Sequence, residues 1–472
     1  MHIIPLSIVG IYIIVLYLIS WYSTKFNKKG GAEGYLLAGR GFPAPVVAVM
    51  LAGLAVGGAS TVGVAENAYR FGISSGMYNA AWGVGGILVG LIAAARYRKM
   101  AVSTIPELFE QYYSASGHVI GVIGQLIIQI TITSLQYVAG GAILTALLPE
   151  FFTMATGMLT TAIVFVGMTL IGGMWAAGLT NIVNVVVIYV GIILGAVSSI
   201  SNFGGMNKLV LTLPKNGHWF DPVAGMGIGV VAAWFIVMAT QAFSTQAVVQ
   251  IAFSAKDAKS ARRGFILGGL IILPVGFLAA IFGIVAAAQF PGIAPAAALP
   301  TVVLSVNPFI AGITLAGLWA ADVSTACGLL LGSSTLVVQD IWKRYIQPDM
   351  TDKQSVFASR ISVLGVSVLT YILAANVVGI LKTLTLGLTL TTSYTIVLLF
   401  TMFAPKYCRR SSAFWSVLVG MIFLLIWQFI PSIRIVPHAI YLAWPITIAT
   451  FLVVAVLDKE RALIPPTHSK KK

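Results

Sequence analysis

Thirteen long apolar stretches with almost no charge inside them decide which solvent this chain folds in. They cover approximately residues 3–22, 44–66, 74–95, 118–147, 152–174, 177–200, 223–250, 263–289, 302–336, 357–378, 384–405, 413–431 and 437–457. Of the 472 residues, 58% are hydrophobic and only 9% are charged. Water cannot solvate that much apolar surface, whereas a helix of about 20 apolar residues buries itself in hydrocarbon. The sequence therefore predicts an all-α integral membrane protein with 13 transmembrane helices. It forms a single transmembrane domain over residues 1–472, with loops too short to hold a soluble domain. The first stretch has neither a basic leader nor a small-residue cleavage site and reads as a retained helix.

The charges orient these spans. With the N-terminus outside and the C-terminus cytoplasmic, the inner loops hold Lys25, Lys28, Lys29 and Arg40; Arg96, Arg98 and Lys99; and Lys256, Lys259, Arg262 and Arg263. They also hold Lys343, Arg344, Lys353 and Arg360; Lys406, Arg409 and Arg410; and Lys459, Arg461, Lys470, Lys471 and Lys472. Only Arg70, Lys208, Lys215, Lys382 and Arg434 of the 28 basic residues then face outward. This is the positive-inside pattern of a cell-membrane protein. The net charge of +15 is spread over those inner loops, where anionic headgroups attract it. It indicates the lipid bilayer as partner and no nucleic acid. No lysine follows a glycine, so there is no phosphate-binding Walker loop to harness ATP. The five histidines lack metal-ligand spacing, and the spans hold no nucleophile–base pair, which argues against an enzyme. A disulfide between Cys327, in a span, and Cys408, in an inner loop, is disfavoured on the reducing side.

Polar residues inside a span are costly and mark pathways. Glu66 lies near the outer end of the second stretch, within reach of water, but Asp322 lies well inside the ninth. The second stretch contains Gly53, Gly57, Gly58 and Gly63 around Ser60 and Thr61. Each glycine weakens a helix by roughly 1 kcal/mol. The cluster favours either an unwound segment with carbonyls free for a cation or close packing through small residues. In the ninth stretch Ser324 and Thr325 are adjacent. Their hydroxyls either turn toward a crossing helix as hard oxygen ligands or bond back to carbonyls one turn earlier. Gln241, Gln246 and Gln250, and Gln125, Gln129 and Gln136 on one helix face, serve as interhelical glue or line a polar cavity.

Taken in order, GYLLAGRGFPAP, GASTVGVAENAYRFG, STIPELFEQYY, GGMWAAGLTNIVN, TQAVVQ and ADVSTACGLLLGSSTLVVQDIWKR resemble the sodium:solute symporter family over roughly residues 1–405. The resemblance implies a LeuT-type fold. Spans 2–6 (about 44–200) and 7–11 (about 223–405) would form two inverted repeats, with helices 2 and 7 discontinuous at mid-membrane. It implies a sodium-coupled importer of a small organic solute, with sodium held by the carbonyls of Gly53, Val56 and Ala321 and the hydroxyls of Ser324 and Thr325. Many relatives hold a second sodium on an acid after a Gly-Gly pair in span 6. Here Gly172 and Gly173 are followed by Asn181 in that place, so one sodium ion per solute is expected.

By the same resemblance the solute site takes in Ser60, Asn79, Trp82 and Gln241. Gln241 stands near where sugar-transporting relatives carry an aromatic gate, which turns the expectation from sugars to an amino acid or monocarboxylate. Asp322 has three open readings: it strengthens the sodium site, carries a proton in a proton-coupled importer, or bonds a hydroxyl on a neighbouring helix. A solute sensor that does not transport is the remaining alternative, against which the short tail after Asp458 speaks.

Overall fold

The computed structural model describes residues 3–29, 31–100, 102–215, 217–376 and 387–464. Lys382, Lys470, Lys471 and Lys472 lie outside these residues, as do 377–378 at the end of the tenth stretch and 384–386 at the start of the eleventh. The helices used below are α1 (Ile3–Ser23), α2 (Ala44–Ala55), α3 (Val64–Phe71), α4 (Met77–Ile92), α5 (Ile105–Tyr112), α6 (Ala115–Leu147), α7 (Met154–Phe203) and α8 (Ile228–Ser244). They continue with α9 (Gln246–Ser254), α10 (Ala258–Ile272), α11 (Val275–Gln289), α12 (Pro308–Thr335), α13 (Asp352–Ala374), α14 (Thr391–Phe403), α15 (Ser412–Phe429) and α16 (Ile440–Leu457).

Local chemistry sets where several of them begin. Thr104 caps α5 by accepting from Glu107 N–H at 3.0 Å, and Glu107 accepts from Ser103 N–H at 2.7 Å. Asp257 caps α10 through Ser260 N–H at 2.7 Å, and Asn307 caps α12 just before Pro308. Such caps satisfy amides that the first turn leaves without partners.

Among the described residues nine helices are long and apolar enough to cross a membrane, or ten if the bent pair α8 and α9 is one span. The difference from thirteen has a physical origin. An unbroken helix of the length of α7 would be about 75 Å long, more than twice the hydrocarbon thickness. It is broken at Gly173, whose φ of 59° and ψ of −145° are not helical and which only glycine adopts without strain. Residues 165 and 166 lie beside Cys327 and Leu330, whereas 191 and 195 lie beside Thr314. Gly72, with φ 66° and ψ −152°, likewise separates α3 from the helical run that leads into α4.

The connecting segments form two groups. At one end Phe26 and Phe42 meet Trp175, Phe42 and Lys256 exchange backbone bonds with their neighbours across the chain, and Arg98 donates to Ala255. At the same end Arg344 pairs with Glu110, Tyr113 meets Cys408, and Leu463 N–H donates to Tyr112. At the other end Ile73 N–H donates to Trp219, Tyr69 to Phe290 and Tyr441 to Gly229. The centre belongs to α12, with 89% of its apolar window buried against 28% for α1.

Candidate functional site

The helix that starts at Ala44 stops in the middle of the protein. Its last bond runs from Val56 N–H to Ala52 at 2.9 Å, and Val56 then leaves helical geometry with φ −92° and ψ 89°. The chain resumes helical turns at Ala59. This break releases the Gly53 carbonyl from its ordinary donor four residues on. Two side chains of α12 take it instead. Ser324 Oγ donates to Gly53 O at 2.7 Å, and Thr325 Oγ1 donates to the same oxygen at 3.0 Å. Ser324 also donates to Ala321 O, one turn earlier, at 2.8 Å. Both sequence alternatives are thus realised at Ser324, while the bond from Thr325 crosses between helices.

The break is held from other sides. Ser60 Oγ reaches back to Ala55 O at 2.7 Å, Thr61 Oγ1 to Gly57 O at 3.0 Å, and Gly58 N–H donates to Gln136 Oε1 of α6 at 2.7 Å. The glycines here are a matter of space. A Cβ on Gly53 would lie 2.5 Å from Asn181 Nδ2, and one on Gly57 2.5 Å from Thr325 Oγ1. Asn181 itself accepts from Asn184 at 3.1 Å, and Asn184 accepts from Tyr12 of α1 at 2.6 Å. Two cavities of about 10 Å³ each flank Ser324, one against Thr169, Thr180 and Cys327, the other against Met50, Asn181 and Gln250. Each has room for about one water.

Asp322 is fully buried, and neither carboxylate oxygen has a hydrogen-bond partner. Its Oδ1 lies 2.8 Å from where a Gly58 Cβ would stand, so the carboxylate rests on the break. No lysine or arginine is buried among the described residues.

The residues expected around a solute are less concentrated. Gln241 is buried in α8 one turn before its end, and its Oε1 lacks a partner. Trp82 is buried on α4. Asn79 is also buried with neither end of its amide bonded, and its side chain abuts Gly276 of α11.

The remaining glutamines divide between the two expected roles. Gln125 donates to Ser244 O at 2.7 Å and accepts from Gln246 N–H at 3.0 Å, bridging the 50° bend between α8 and α9. Gln246 also holds Ser103 and Ile105, and Gln250 holds Leu36 and Thr335. The side-chain amide of Gln129 has no partner. A second buried cluster, missed from sequence, sits beyond α12: Asp340 Oδ1 accepts from Thr104 Oγ1 at 3.0 Å and meets His118 Nε2 at 2.9 Å. Its members are too far apart in the chain for any spacing rule to join them.

Residues 35–420 match the family profile described as sodium:solute symporter family. The chain is 26% identical to the osmoregulated proline transporter OpuE of Bacillus subtilis over 78% of this chain and 77% of that one. It is 23% identical to the sodium/glucose cotransporter of Vibrio parahaemolyticus over 80% and 76%, and 25% identical to the sodium/proline symporter of Escherichia coli over 88% and 85%. Its fold matches that of a Na+-coupled sialic acid symporter in a substrate-bound outward-open state. The TM-score is 0.81 at 16% identity, covering 98% of this chain and 99% of the other. With the family profile matched from the first broken helix to α15 and the fold shared end to end, the chain belongs to the sodium:solute symporter family.

Proposed function

We propose that this symporter imports a small organic solute, an amino acid or a monocarboxylate, together with one sodium ion bound between α2 and α12. The observation that carries the site is the convergence of Ser324 and Thr325 on the Gly53 carbonyl. To receive sodium, the two hydroxyls turn their protons away and present lone pairs. With the carbonyls of Gly53, Val56 and Ala321 they form a cage of neutral oxygens, the ligand type hard cations prefer. Asn181 against Gly53 is uncharged, which supports a single ion. The solute lies beside the break, with Ser60, Asn79, Trp82 and Gln241. The unpartnered amide of Asn79 and the bare amide oxygen of Gln241 are satisfied when a polar solute arrives.

Thirteen passes, two inverted repeats over about 44–200 and 223–405, an external N-terminus and a cytoplasmic C-terminus complete the reading. Its support is the break at Gly173, which divides α7 into two membrane-length helices, and the segregation of connecting segments. The end where Arg40, Arg98, Arg344 and Arg409 gather is the basic, cytoplasmic one. One sodium entering down 100 mV and a tenfold gradient releases about 3.7 kcal/mol, enough to concentrate a neutral solute on the order of 500-fold.

The test is uptake into proteoliposomes of a labelled panel of amino acids and monocarboxylates, titrated with sodium. Wild-type uptake requires sodium, and Ser324→Ala or Thr325→Ala raises the half-maximal sodium concentration about 10- to 100-fold. Unchanged sodium dependence in both variants refutes the site.

A further inference from the structure

We propose that Asp322 anchors the positively charged amino group of the solute, so that the transported class is amine-bearing solutes rather than plain carboxylates. The inference rests on the proposed solute site beside the helix break and narrows it. Two carboxylates are buried in the described protein, Asp322 and Asp340. Asp340 has His118 and Thr104, whereas both oxygens of Asp322 are without a donor. A carboxylate in that position calls for positive charge, and no buried lysine or arginine supplies it. Without a ligand such a group is held neutral by a proton, and a cation that arrives takes the proton's place.

The surrounding oxygens tell which ligand. A sodium ion needs several oxygens at once, as other hard cations do. Around Asp322 the neighbouring oxygens accept from backbone amides, which cannot turn away as the cage hydroxyls do: Gln136 Oε1 from Gly58 N–H, Gly57 O from Ser60 N–H, and Gly58 O from Gly63 N–H. What is free is one carboxylate with two acceptor oxygens. An ammonium group, which carries its own charge and two or three N–H donors, requires that and little more. Asp322 also sits against Gly58 in the non-helical break of the second span, the kind of discontinuity beside which transporters bind their solutes. The carboxylate thus gives the solute site a sign: an amine gains a charge-assisted bond there, and an anion without an amine meets repulsion.

The experiment measures thermal unfolding of the purified full-length transporter in detergent, in sodium, with paired solutes: L-proline and cyclopentanecarboxylate, L-alanine and propionate, putrescine and 1,4-butanediol. The expected result is stabilisation of the wild type by at least one amine-bearing member and not by its amine-free partner. Asp322→Asn weakens that binding about 30-fold or more, and Asp322→Glu restores part of it. The sodium-induced stabilisation measured without solute persists in Asp322→Asn. The proposal is overturned if no amine-bearing member stabilises, if an amine-free partner does so equally, or if Asp322→Asn binds the amine as the wild type does. It is also overturned if Asp322→Asn loses the response to sodium alone, which would assign the carboxylate to the ion. Failure of the sodium site itself reads out separately, as an unaltered sodium response in Ser324→Ala.

Discussion

Asp322 and Asp340 lie 18 residues apart on one continuous helical run, about 27 Å along its axis. Both are buried. Asp340 is tied by Thr104 and His118 to the segments before α5 and at the start of α6, while Asp322 touches the break in the second span with no donor at all. The far end of this run, beyond α12, is therefore cross-linked, and the middle is held in readiness. Asp340 is bonded through Oδ1 while its Oδ2 and His118 Nδ1 are bare, so the cluster is tied though not saturated, whereas Asp322 is left wholly for a ligand to satisfy. The same division separates Gln246 and Gln250, bonded across three segments, from Gln241, whose carbonyl oxygen is bare.

The sharpest way to break this comparison is to truncate both aspartates alike. Asp340→Ala removes the partner of His118 and Thr104 from a buried site and is expected to cost about 3 kcal/mol of unfolding free energy in detergent. Asp322→Ala deletes the same atoms but no hydrogen bond, and is expected to change stability by about 1 kcal/mol or less, or to raise it, because an unpartnered buried polar group is gone. Equal losses in the two variants would end the distinction.

A second pair of changes carries the contrast into function. Gly57→Ala places a methyl group 2.5 Å from Thr325 Oγ1 and against Gln136. Overpacking of this kind costs about 1–3 kcal/mol. Because the hydroxyl is what must move, the sodium requirement of uptake rises with it. Gln246→Ala frees the Ser103–Ile105 segment from α9, with a comparable loss of stability of about 1–3 kcal/mol, but leaves the sodium concentration for half-maximal uptake unchanged. Sodium titration of uptake alongside denaturation distinguishes the two. A smaller effect is expected at Asn181, which packs on Gly53. Asn181→Asp adds a charge beside the cage, so sodium binding tightens about tenfold, and the Hill coefficient for sodium moves from one toward two.

Part of the central site was legible because its signals are local. Four glycines within eleven residues leave a helix either unwound or closely packed, adjacent hydroxyls on a long apolar helix either reach across or bond back, and the family resemblance chose between them. The structure joins Gly53 to Ser324 and Thr325 in the way those runs suggest. What depends on rotation about a helix axis was not legible: no residue type or spacing tells that Asn79 abuts Gly276 of α11. The Asp340–His118–Thr104 cluster was hidden for another reason. It joins three segments whose sequence separations exceed 200 residues for two of its pairs, and a single histidine in a basic, apolar chain carries no signal of its own. The interruption of α7 was legible as well, since the apolar stretches 152–174 and 177–200 part next to Gly173, whereas the caps Thr104 and Asp257 emerge only from the structure.

The smallest effect concerns a third aspartate at the basic end, and it calibrates the other two. Asp257 is exposed and caps α10, and the bond from Ser260 N–H holds its carboxyl below the usual carboxylate range. A carboxylate with a depressed folded pKa contributes stability that is fully present above its unfolded value of 3.8 and disappears as pH falls through the lower folded value. Wild type and Asp257→Ala should therefore differ slightly in unfolding midpoint at neutral pH and converge below pH 3.8. The bond is a local one, made by a side chain in contact with water, so added salt and acid both reach it. A difference that persisted unchanged into acid would mean that the residue acts through packing instead of charge. It would also remove the solvent-exposed reference against which the buried pair at Asp340 and the bare carboxylate at Asp322 are measured.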